Sequence, residues 1–82
     1  MKGIVMMINP KSCMIAVEVD TNDFAVMETR NVVFNVDIGD IVLGNFNCLS
    51  GEAIRNITKD ESMDVVIKDI NCNSEEARGL IK

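Results

Sequence analysis

The side chains in this sequence that could support catalysis or hold a metal are three cysteines and thirteen carboxylates; there is no histidine. Cys13, Cys48 and Cys72 are far apart and include no Cys-x-x-Cys pair, so no zinc site is expected. Cys13 has no imidazole to activate it as a nucleophile. All three thiols read as reduced, apolar fillers, which suits the cytoplasm. Glu18, Asp20 and Asp23 gather near one turn, and Asp60, Glu61 and Asp64 near another. Neither segment has the alternating ligand loop, with its Gly and distal Glu, that calcium needs. Paired-carboxylate catalysis needs a cleft and a perturbed pair, and a chain this short gives little sign of either. Both clusters read as solvated acidic rims. The chain is read as non-enzymatic, with no catalytic residue, no metal and no cofactor.

Charge points the same way. The net charge is -5, and the eight basic residues are scattered. Proteins that hold nucleic acid through its phosphates usually show a basic patch. Lys2, Lys11, Arg30, Arg55 and Lys59 are the residues that would carry such contacts here. An apolar fraction of 48%, mostly Val, Ile and Met, is that of a globular chain. Nothing approaches the roughly 20 apolar residues of a membrane span. The short apolar run after Lys2 breaks at Asn9-Pro10, so no secretory leader is expected and the location is expected to be cytoplasmic.

The elements that position these residues read as strands. Gly3 to Ile8 is an apolar run closed by Pro10, too short for an independent helix. After the turn Asn9-Pro10-Lys11-Ser12, residues 13 to 20 alternate, with Ile15, Val17 and Val19 on one face and Met14, Ala16 and Glu18 on the other. Turn residues at 20 to 23 lead into a strand over 24 to 29, giving an antiparallel meander. Residues 30 to 37 read as a short strand or an ordered loop. Strands follow at 41 to 47, 52 to 58 and 64 to 70. Asn73-Ser74-Glu75-Glu76 starts a short helix, with a capping side chain and acids in the first turn. The expected fold is all-β: a small OB-type antiparallel barrel of five or six strands with a short C-terminal helix. The barrel is assigned to residues 1–62, with 63–82 a strand-helix extension packed on the same domain. Val5, Ile15, Val17, Val19, Val42 and Ile57 are expected inside.

Lys2-Gly3-Ile4-Val5-Met6-Met7-Ile8-Asn9 resembles the opening pattern of cold-shock domains, Lys-Gly-x-Val-Lys-Trp-Phe-Asn, keeping Lys2, Gly3, Val5 and Asn9. Ile38-Gly39-Asp40-Ile41-Val42 is similar to that family's Glu-Gly-Gln-x-Val, and Gly51 to Thr58 to its Gly-x-x-Ala-x-Asn-Val-Thr ending. The resemblance covers residues 1 to 59. It implies an OB barrel that binds single strands by stacking bases on outward aromatic rings, at about 1–3 kcal/mol per base. Met7, Met14, Ala16, Val26 and Glu28 occupy those ring positions here.

Aliphatic residues in place of rings make Met7, Met14, Ala16 and Val26 an expected outward patch for protein contact or self-association, with a homodimer the simplest case. The alternative is a weak single-stranded nucleic-acid binder of cold-shock type using the five basic residues named above.

Overall fold

The computed structural model describes residues 1–31 and 34–82. Six strands, β1 (Lys2–Asn9), β2 (Met14–Asp20), β3 (Asp23–Thr29), β4 (Ile41–Leu43), β5 (Gly51–Asn56) and β6 (Glu61–Cys72), precede one helix, α1 (Ser74–Leu80). They close into a barrel in the order β1-β2-β3-β6-β5-β4, every neighbouring pair antiparallel. Among the described residues, closure leaves no sheet edge to recruit another chain. The architecture is compatible with an OB-type barrel.

Short turns joining the strands rest on residues that tolerate a left-handed backbone. Asn22 (φ 52°) turns β2 into β3 and Asp60 (φ 56°) turns β5 into β6. Cys13 takes φ 58° at the β1–β2 turn, so β2 starts at Met14, one residue later than the alternation suggests. Gly39 takes φ 98° in the turn before β4. Gly3 is needed for another reason: a Cβ there would collide with the Val17 side chain and lie 3.2 Å from the Glu18 carbonyl oxygen.

The barrel interior holds Val5, Ile15, Val17, Met27, Val42, Phe46, Ile54, Val65 and Ile67. Four expectations change. Ile57 is exposed, because on β5 it is Ile54 and Asn56 that point inward. Val19 is only half-buried against the core. The strand expected over 41 to 47 stops at Leu43, beyond which the chain bends to drive Phe46 into the barrel. β6 is longer than expected and lies between β3 and β5 as a full barrel strand, so the 62–63 boundary falls inside it. Val32 and Val33, read as part of a short strand or loop, lie outside the described residues.

β2 and β3 are buried on both faces. The inner face meets the barrel core, and the outer face meets α1.

Candidate functional site

Three surfaces bear on function. The first is the outer face of β1–β2–β3. Ala16 opposes Met7 on β1 and Val26 on β3, so the three share one side of the sheet, and Met14 follows two residues before Ala16. The structure brings the four expected contact residues together, but it does not leave them open. Ala16 and Val26 are fully buried, and with Phe24, Cys72, Ala77 and Ile81 they form a second apolar cluster against which Met7 and Met14 pack. The expected exposure is therefore corrected for Ala16 and Val26, and reduced to half-burial for Met7 and Met14. The cover is α1 itself.

α1 is well anchored. Asn73 caps it in a box: its side chain accepts from the Glu76 N–H, and the Asn73 N–H donates to the Glu76 carboxylate. At one end the Ser74 N–H donates to Asn22 Oδ1 at 3.2 Å. At the other, Asn9 Nδ2 and Ser12 Oγ both donate to the Ile81 carbonyl, at 2.7 and 3.1 Å. The helix thus runs from the β2–β3 turn to the β1–β2 turn across the whole face. Ala77 and Ile81, four apart, supply its apolar side.

The second surface is the set of basic residues, and the structure disperses it. Arg30 pairs with Glu28 at 3.2 Å, Arg55 pairs with Asp60, and Lys59 pairs with Asp37 at 2.6 Å and Asp40 at 3.0 Å. Lys2 and Lys11 take part in no ion pair among the described residues. Only Lys2 and Arg55 meet on one face, flanking Leu43.

Lys59 belongs to a structural network. Buried Asp40 accepts from Asn56 Nδ2 at 2.9 Å, from the Asp37 N–H at 3.1 Å and from Lys59. Burial alone would raise the Asp40 carboxyl, but these hydrogen bonds and the Lys59 charge outweigh it and hold it below its usual 3.8. Its contribution to stability is present above that value and is lost as pH falls through the lower folded one. Lys59, raised above 10.5 chiefly by Asp37 and Asp40, loses its contribution only as pH rises through its own higher value. Melting temperature measured from pH 6 down to pH 2 should therefore fall more steeply below about pH 4 in the native chain than in Asp40→Asn. Asp40→Ala should cost about 1–3 kcal/mol by stranding the buried Asn56 amide.

No protein-family model, curated protein or solved structure matches this chain.

The three cysteines are free and differ in burial. Burial pushes the Cys72 thiol up, aided by Asp69 and Glu76, so it stays protonated. Cys48 sits in the loop before β5, with Ser50 Oγ 3.3 Å away and its thiol donating to Glu52 at 3.5 Å. Among the described residues no group of three or more Cys, Asp or Glu is placed to hold a metal ion, and no helix is long and apolar enough to cross a membrane.

The third surface was missed in the sequence. Ile4 on β1 opposes Ile41 on β4, and the Ile57 N–H donates to the Ile41 carbonyl at 2.8 Å, so the three isoleucines form one row across β1, β4 and the end of β5. Ile4 is 40% exposed and Ile57 46%, with Leu43 at 39% and Met6 at 41% beside them. Met6, two residues beyond Ile4 on β1, shares its outward side, and the β1–β2 register shift between Val5 and Met7 brings Met7 opposite Ala16. The available signal was the phase of β5: with Ile54 and Asn56 inward, Ile57 must face out.

Proposed function

We propose that the protein is a non-enzymatic interaction module on an OB-type, cold-shock-like barrel, acting in the cytoplasm, whose working surface is the aliphatic face of β1–β4–β5. The observation that carries this reading is the row of exposed Ile4, half-buried Ile41 and exposed Ile57, with Leu43 and Met6 alongside. Scattered exposed apolar residues are ordinary, whereas a contiguous set in cross-strand register is the mark of a protein-contact surface. The face that a stacking domain would offer to bases is occupied by α1, and two of the five candidate phosphate contacts, Arg30 and Lys59, are paired with acids.

The alternative, weak single-strand binding, retains Lys2 and Arg55 on the same aliphatic face. Titration of a labelled oligo-dT and oligo-U at physiological salt separates the two. Affinity no tighter than the roughly 10⁻⁴–10⁻⁶ M of nonspecific phosphate contact is expected. Submicromolar binding, lost in Lys2→Ala with Arg55→Ala, would reverse the order of the two readings.

A further inference from the structure

We infer that the partner met by the β1–β4–β5 face is a second copy of this chain, joined about a two-fold axis, with Arg55 of each copy entering an acidic groove of the other. The inference rests on the interaction-module reading and names its partner. Its evidence is the way charge is laid out around the aliphatic row. On the β2 side, Lys2, Ile4, Glu18 and Asp20 line an open groove of about 370 Å³. Two of its seven lining residues are carboxylates and one is a lysine. On the other side of the row, on β5, Arg55 stands out 51% exposed. One margin of the face is therefore acidic, the other carries a guanidinium, and the centre is aliphatic.

Such a face is complementary to itself. The strand order across it is β2-β1-β4-β5. A two-fold axis lying along the seam between β1 and β4 exchanges β1 with β4 of the other copy, and β2 with β5. Ile4 of one copy then rests on Ile41 of the other, the Lys2 stem covers Leu43, and Arg55 comes over the groove between Glu18 and Asp20. Each contact occurs twice, as an isologous interface requires. An axis along β4 itself would set Lys2 against Arg55, so charge selects the first arrangement. Arg55 already touches Asp60, but that pair is exposed and costs little to share. A guanidinium has five donors and can serve two carboxylates at once. Both copies are acidic overall, so long-range repulsion opposes association, and added salt first helps by screening it and then hurts by weakening the Arg55 contact.

The test is sedimentation equilibrium of the full chain, with each variant's melting temperature measured beside it. The native protein is expected to dimerise reversibly, and Arg55→Glu and Asp20→Lys should each weaken its dimer at least tenfold. Mixing the two variants should restore association. In the mixed pair alone, the introduced carboxylate of one variant meets the introduced ammonium of the other at one site, and the native Arg55 meets the native Asp20 at the second. Should Asp20→Lys lower the melting temperature by disturbing its turn, Glu18→Lys takes its place. A native chain that stays monomeric at millimolar concentration overturns the inference. So does a dimer that Arg55→Glu leaves unchanged, or a mixture of variants that associates no better than either alone. These outcomes leave the oligonucleotide titration untouched: a monomer that ignores oligonucleotides keeps the module reading with a different protein partner, whereas tight oligonucleotide binding removes the module reading itself.

Discussion

Phe46→Ala should cost about 3–5 kcal/mol, the range for truncating a buried aromatic ring. At roughly 0.05–0.15 kcal/mol per residue, a chain of 82 residues has about 4–12 kcal/mol in all, so this loss is a large share of it. Phe46 is 2% exposed and comes from the irregular stretch after β4. Gly3 and Gly44 line its ring: a Cβ at Gly3 would lie 3.5 Å from it and a Cβ at Gly44 3.4 Å, both at van der Waals distance. The ring therefore does two things, filling the barrel between β1 and β5 and tying down a loop that has no ladder of its own. Urea unfolding should show a much lower midpoint with an unchanged slope, since the surface exposed on unfolding is nearly the same. Leu49→Ala, at a 62% exposed site three residues on, should stay within about 0.5 kcal/mol and serves as the control. A loss below about 1 kcal/mol for Phe46→Ala would mean the ring is not seated in the core.

The barrel was legible in the sequence because its signals are local. Strand alternation, turn residues and the capping pattern at Asn73 each act over a few residues, and all three pointed to short antiparallel strands ended by a helix. What was not legible depends on contacts far apart in the chain. Asn56 reads as an outward residue until Asp40 is found beside it, and its burial is what turns Ile57 out to solvent. Met7, Met14, Ala16 and Val26 were rightly grouped on one face, but nothing in those residues says that Ala77 and Ile81, far along the chain, would cover it. The aliphatic residues at these positions leave room for a helix. Met14→Lys should loosen α1, because Met14 packs against the cluster that Ala77 and Ile81 complete.

How firmly α1 is held is decided by a small balance, and Ala16→Asp should tip it. Burial of the Ile81 side chain is worth about 1.5–3 kcal/mol, and Ala77 adds less. Asn9, Ser12 and Asn22 add hydrogen bonds of about 1 kcal/mol each. A carboxylate at position 16 would have no partner within the apolar cluster, and leaving it desolvated costs at least as much as that docking energy. Because Ala16 faces away from the barrel interior, lifting the helix lets the charge reach water without breaking the main core. Local undocking is the expected outcome rather than global unfolding. Cys72 reports it directly, since the thiol is 4% exposed and lies in the same cluster as Ala77 and Ile81. In a background carrying Cys13→Ser and Cys48→Ser, a thiol reagent should modify Cys72 slowly in the otherwise native chain and at least tenfold faster in Ala16→Asp, while far-ultraviolet circular dichroism keeps its β signal. Loss of that signal together with fast labelling would show that the barrel cannot stand without its helix. Unchanged protection of Cys72 would place position 16 outside the α1 contact, and the account of the covered face would fall with it.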